Sequence, residues 1–235
     1  MDKNKDIFGT AIKAFYEEKD KTDIIVHSPD FEDDVILVEY LFRKFEDMPE
    51  VEQKALELCE GKVLDVGCGA GSHALFLQQN KKLQVKAIDT SAGAIEIATK
   101  RGVENAVSED FFKLKDEKFD TILMLMNGSG IIGKLKNLKS FFDHSRTLLT
   151  ERGKILMDSS DLIYLFEDEF EDPENYFGEF QYSISYKEWH SEDFDWLFIS
   201  PDLLTEYAES NGFNCEIIHQ GDNYDFLAEL SVQKK

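Results

Sequence analysis

The sequence predicts an α/β protein: a mostly parallel seven-stranded sheet covered by helices and closed by an antiparallel C-terminal hairpin. Three observations predict it. Short apolar runs alternate five times with helical periodicity between residues 62 and 159. The first run ends in glycines, which suits a buried strand turning tightly into a helix. Two more strand-like runs, separated by a turn-rich loop, finish the chain. Around this frame we expect an N-terminal helical cap over residues 1–60, a main domain over residues 61–235 and an aromatic hairpin inserted at about residues 160–200.

Taken in order, Ile7, Ala11, Ala14 and Phe15 recur at helical spacing and open the cap. After the acidic loop HSPDFEDD of residues 27–34, DVILVEYLFRKF over residues 34–45 reads as a second helix. Pro49 suits the first turn of a third helix reaching Leu58. KVLDVG, from Lys62, is the first strand, and Ala74, Leu75 and Leu77 mark the helix behind it. The strand LQVKAID and the helix AIEIATKRG follow, then a short strand at Ala106 and Val107 ahead of EDFF, then the strand FDTILMLM over residues 119–126. Leu138, Phe141, Phe142, Ser145, Leu148 and Leu149 mark an amphipathic helix. Gly153 ends the turn after it, and KILMDS is the fifth strand. EFQYSISY alternates as a strand and can pair with DWLFIS, giving the inserted hairpin. Ser200 and Pro201 make an N-cap and a first-turn proline for a last helix that stops at Gly212. NCEIIH and FLAELSVQ, joined by QGDNYD, form the closing hairpin.

The 235 residues carry a formal net charge of −22. Such a surface repels phosphate backbones and anionic lipid, so neither nucleic acid nor a membrane is an expected partner. Cys59, Cys68 and Cys215 give neither a disulfide framework nor a zinc spacing, and no metal is expected. The first residues lack an apolar signal core, and no run approaches the roughly 18 apolar residues of a membrane helix. The expectation is a soluble cytoplasmic protein.

Chemistry concentrates in residues 63–71, VLDVGCGAG. Gly67, Gly69 and Gly71 fall where the first strand becomes a helix, a place where the main chain can approach a ligand. A P-loop would need a lysine after its last glycine, and none is there. A dinucleotide fingerprint would need glycine at the position held by Ser72. Asp89 closes the second strand, where a carboxylate either accepts ribose hydroxyls or caps the next helix, though Thr90 and Ser91 can serve as that cap without it. Asp110 and Phe111 follow the third strand, and the fourth ends at Met126, Asn127 and Gly128.

The glycine pattern G-x-G-x-G behind Asp65, with Asp89 and Asp110 in order after it, resembles the class I S-adenosylmethionine-dependent methyltransferases over roughly residues 60–158. The resemblance implies a Rossmann-like methyltransferase fold and S-adenosyl-L-methionine as cofactor. It implies that Asp65 orients the methionine amino group and that Gly67, Cys68 and Gly69 pass under the cofactor. It also implies that Asp110 takes the adenine amino group, with Phe111 against the base. Met126 joins this set, and Asn127 falls toward the acceptor. The family's nucleobase and amide methylases carry N-P-P-[YF] where this chain has Asn127, Gly128, Ser129 and Gly130, which lowers the case for those acceptors. A small-molecule acceptor is therefore expected by elimination; the rival is a non-catalytic cofactor-binding sensor or partner subunit. Trp189 and His190 are candidate acceptor contacts, and Tyr40 and Arg43 are candidate contacts for the acceptor or for the methionine carboxylate. His73, His144, His190 and Asp158 are the base candidates, none strong enough to name as catalytic.

Overall fold

The structure, a computed structural model, describes residues 6–29, 31–165 and 176–234. In chain order its elements are α1 (Ile7–Lys13), β1 (Ile24–His27), β2 (Asp34–Ile36), α2 (Glu50–Leu58), β3 (Lys62–Val66), α3 (Ser72–Gln79), β4 (Gln84–Asp89), α4 (Ala92–Arg101), β5 (Ala106–Ser108), β6 (Phe119–Met124), α5 (Leu138–Leu148), β7 (Leu149–Ser160), β8 (Glu179–Tyr186), β9 (Trp189–His190), β10 (Phe194–Leu197), α6 (Pro201–Ser210), β11 (Phe213–Gln220) and β12 (Asp225–Val232). The seven-stranded sheet has the order β11-β12-β7-β6-β3-β4-β5. β4 pairs parallel to β5, and β6 parallel to β7. β12 pairs antiparallel to both β7 and β11. This is the Rossmann-like arrangement that the alternation of apolar runs and helices predicts, including its antiparallel end.

The chain divides into two compact units, residues 1–48, 65–113 and 181–194 forming one, and residues 49–64, 114–180 and 195–235 the other. In the first unit, α1 lies against α4. Gly102, left-handed at φ 106°, closes α4. In the second, α5 buries Leu138, Phe141, Phe142, Ser145 and Leu148, the stripe that its periodicity predicts. Ser200 caps α6, its side chain accepting from the Leu203 N–H.

Two expectations are corrected, and a third is extended. Residues 34–45 do not form a helix: Asp34–Ile36 is strand β2, antiparallel to β1, and Val38–Phe42 and Phe45–Asp47 are single 3-10 turns. The β-branched Val35 and Ile36 favour the extended chain, and β1 supplies the ladder that overrides the apolar periodicity. The N-terminal segment is thus mixed rather than a purely helical cap. Gly153 does not precede the fifth strand but lies inside it: β7 starts at Leu149, with a register shift between Phe119 and Thr121. A Cβ at Gly153 would stand 2.8 Å from the Phe119 carbonyl oxygen, so the glycine permits this irregular pairing. The inserted hairpin is present, with β10 beside β8 as the sequence predicts, and it belongs to a second sheet of order β10-β8-β1-β2, with β9 on β8. Val26 faces Ile184 across the β1–β8 ladder. Residues 166–175 of the expected insert, with the aromatics Phe166 and Phe170, lie outside the described residues.

Candidate functional site

In the first unit, the carboxyl ends of β3, β4 and β5 lie side by side. The N–H groups of Gly67 and Cys68 both donate to the Ile88 carbonyl, at 2.9 and 3.0 Å. The Glu109 N–H donates to the Asp89 carbonyl at 3.0 Å. Gly67, Gly69 and Gly71 have φ of 72°, 53° and 84°, the left-handed region that the tight turn requires. At Gly71 a Cβ would also stand 2.7 Å from Val103 Cγ2, so the turn presses on the chain after α4. At Gly69 a Cβ would meet nothing within 4 Å: the backbone there borders open space.

Three carboxylates occupy this end of the unit, each differently engaged. Asp65 is buried, and its Oδ2 has no hydrogen-bond partner among the described residues. Burial pushes its carboxyl up to about 6, against the buried His73 beside it and the Ala74 N–H, while Asp89 adds to the rise. Asp89 is half-buried. Its Oδ2 accepts from the Gly69 N–H at 2.9 Å and its Oδ1 from the Ser91 N–H at 2.8 Å. Each oxygen keeps acceptor capacity, since a carboxylate offers about four sites. Burial raises the Asp89 carboxyl above its usual range, opposed by these donors. Asp110 Oδ1 accepts from the Phe112 N–H at 3.0 Å, and its Oδ2 lies 3.1 Å from Lys113 Nζ. Phe111 is 3% exposed and stands edge-on to Phe112 at 5.2 Å.

The remaining predicted residues of this unit fall in definite places. Cys68 is buried, its thiol pushed well up by burial and by the carboxylates of Asp65 and Asp89, so it is no nucleophile. Thr90 is exposed at the strand end, its carbonyl accepting from Ser108 at 3.5 Å. The Arg43 guanidinium lies 4.0 Å over the Tyr40 ring and donates to the Tyr40 carbonyl, and Arg43 is buried. The two residues that the sequence offers as ligand contacts are thus brought together. Trp189 is half-buried and His190 exposed on β9, the His190 ring 5.9 Å from His27. His73 lies inside the first turn of α3.

In the second unit, Met126 and Asn127 both take left-handed backbone, at φ 67° and 56°. Asp158 explains how two non-glycine residues hold it. Its carboxylate accepts from the Met126 N–H at 3.1 Å and the Gly128 N–H at 2.8 Å, with Asn127 contributing a third. Asp158 is therefore a buried brace for this turn. Burial still pushes its carboxyl up to about 6. Asn127 Oδ1 accepts from Ser160 at 3.0 Å, and Ser129 donates to the Leu197 carbonyl at 2.8 Å. His144 lies half-buried on α5.

Two residues that sequence reasoning passed over organise the first unit. Asp6 caps α1 and reaches α4, and its signal was an aspartate placed just before an apolar-periodic run. Arg101 donates to the Ala70 carbonyl at 2.6 Å and stacks at 4.8 Å on Phe42, which no sequence pattern announces.

A family profile described as Methyltransferase domain matches residues 58–212. A solved SAM-dependent methyltransferase from Bacteroides fragilis, in complex with S-adenosyl-L-homocysteine, is 44% identical with a TM-score of 0.93, covering 100% of this chain and 98% of that one. An S-adenosylmethionine-dependent methyltransferase from Clostridium acetobutylicum ATCC 824 shares the fold at 17% identity and a TM-score of 0.59, covering 80% of this chain and 94% of that one. The ribosomal RNA small subunit methyltransferase C of Actinobacillus pleuropneumoniae is 40% identical over 70 residues, 27% of this chain and only 21% of that relative's length. With a family match over more than half of the chain and a relative alike from end to end, the chain belongs to the S-adenosylmethionine-dependent methyltransferases.

Proposed function

We propose that this methyltransferase holds S-adenosylmethionine at the ends of β3, β4 and β5 and transfers its methyl group to a small-molecule acceptor. One observation carries the cofactor reading: the Asp65 oxygen that is buried and unpartnered beside a glycine turn open at Gly69. A buried carboxylate in need of a cationic partner suits the ammonium of a methionine moiety, and open space over Gly69 suits a ligand lying against the main chain. Asp89, already fixed by two backbone donors, has acceptor capacity left for ribose hydroxyls. Asp110 and the buried Phe111 complete the set on the adenine side.

When bound, the cofactor supplies an electrophilic methyl group on a sulfonium that is its own leaving group. The protein's contribution is then placement. Asp65 pairs a cation in a dry setting, Asp89 fixes one end of the ligand, and the glycine turn brings backbone donors close. Positioning of this kind can remove about 7–11 kcal/mol of a barrier. We assign no general base.

Support for a small acceptor is the charge of −22, which disfavours binding any phosphate backbone. Cytoplasmic residence is part of the same reading. Among the described residues, no helix is long and apolar enough to cross a membrane. The test is calorimetry followed by turnover. S-adenosylhomocysteine should bind in the micromolar range and NADH should not. Labelled cofactor incubated with a metabolite extract should yield a methylated small molecule. Tight NADH binding without adenosylhomocysteine binding would falsify the cofactor reading, and transfer to purified RNA but to no metabolite would overturn the acceptor class.

A further inference from the structure

Asp6 makes more contacts than the cap of a short helix needs. Its Oδ1 accepts from the Gly9 N–H at 2.9 Å, which is the ordinary capping bond of α1. The same oxygen accepts from Ser91 Oγ at 2.6 Å, and Oδ2 accepts from the Gly93 N–H at 2.8 Å. Both of those donors belong to the start of α4, more than eighty residues along the chain. Ser91 Oγ in turn accepts from the Ala94 N–H at 3.0 Å, so one serine hydroxyl caps α4 and ties it to Asp6. The two helices touch glycine on glycine. A Cβ at Gly93 would stand 2.8 Å from Gly9 Cα, and a Cβ at Gly9 would stand 2.5 Å from Asp6 Oδ2 and from Ser91 Oγ.

Ser91 also faces the other way: its backbone N–H is the donor that fixes Asp89 Oδ1. The chain of bonds therefore runs from Asp6 through Ser91 to Asp89 and on to the Gly69 N–H of the glycine turn. Resting on the cofactor reading above, we propose that Asp6 is a positioning residue: it clasps α1 to the start of α4 and so sets where the Asp89 carboxylate stands for the cofactor. The Asp6 charge adds to the rise that burial imposes on the Asp89 carboxyl, as expected of two carboxylates sharing one serine. By linkage, a ligand held by Asp89 should tighten the docking of α1, and a loosened α1 should weaken the ligand by the same factor.

A double-mutant cycle separates this role from simple helix capping. Adenosylhomocysteine affinity is measured by calorimetry for the parent, Asp6→Ala, Asp89→Ala and the double variant, with a thermal melt confirming that each is folded. The expected result is a loss of about tenfold on Asp6→Ala, the scale of one charge-assisted hydrogen bond. In the Asp89→Ala background, the same change should cost less than about twofold. Asp6→Asn, which keeps the size and one acceptor oxygen, should recover part of the loss. Gly93→Ala disturbs the same joint while leaving both carboxyl side chains in place, and it should reproduce the Asp6→Ala pattern if that variant does not fold. Equal losses in both backgrounds, or a folded Asp6→Ala that binds like the parent, would overturn the proposal. A parent that fails to bind adenosylhomocysteine at all would remove the cofactor reading first, and is told apart because every variant fails alike.

Discussion

The strand-end carboxylates Asp65, Asp89 and Asp110 have the same chemistry and different duties, and the first two each predict a measurement. For Asp65 the carboxyl is pushed from 3.8 to about 6, chiefly by burial. A raised value means that the stabilisation is present below about pH 4 and is lost as pH climbs through 6, when the buried group must ionise. Full ionisation then costs roughly 3 kcal/mol at about 1.4 kcal/mol per tenfold. Urea melts of the parent and Asp65→Asn at pH 4.5 and 7.5 should show the variant gaining relative to the parent as pH rises. A cationic ligand reverses the sign, so adenosylhomocysteine should bind more tightly as pH passes 6; a flat affinity profile would sink the pairing with Asp65. Asp89→Ala should weaken adenosylhomocysteine at least tenfold, since charge-assisted bonds run to about 1.5–3 kcal/mol each. It should also lower stability modestly, because the Gly69 and Ser91 N–H groups lose their acceptor. Parent-like affinity in a folded Asp89→Ala protein would reduce Asp89 to a brace.

At the scale of elements, legibility followed how local the information was. The strand–glycine–helix turn at residues 63–72, the ends of α4 at Ser91 and Gly102 and the stripe of α5 were readable because each is written in adjacent residues. The second sheet was not, because β1 and β8 acquire their pairing from each other, and neither declares it alone. The same reason hid the brace at Asp158, whose three donors lie some thirty residues earlier in the chain. Another distant pair is Gly130 and Trp196: a Cβ on Gly130 would fall 1.9 Å from Trp196 Cε2. Gly130→Ala should therefore destabilise by about 1–3 kcal/mol, the usual cost of overpacking. Adding Trp196→Leu should recover part of that, and thermal melts of the single and double variants check it. A tolerated Gly130→Ala would mean that the indole moves aside freely.

At the scale of the whole molecule, the dominant quantity is the net charge of −22. Self-repulsion of that size opposes compactness and is screened within about 10 Å at 0.1 M salt. Raising sodium chloride from 0.02 to 0.5 M should therefore raise the melting temperature, and a fall would show that attractive ion pairs outweigh the repulsion. The same surface should leave fluorescent RNA unbound at low salt, where any electrostatic attraction is strongest. Family and cofactor were legible because they rest on backbone turns and strand ends. The acceptor was not, because it is chosen by side chains that no local motif collects.

The ladder between β1 and β8 has a consequence for biosynthesis. His27 bonds to Ser185, 158 residues downstream. Ribosomes add about 5–20 residues per second, so β1 waits on the order of 10–30 s for its partner to be made. Until then it has only the short β2 beside it, and an isolated two-stranded ribbon is marginal in water. Although made well before β8, β1 is thus among the last strands to be finished, its free edge open meanwhile to any other strand. Nascent chains halted before Glu179 should be cut by protease within residues 24–36, and chains released after Leu197 should resist.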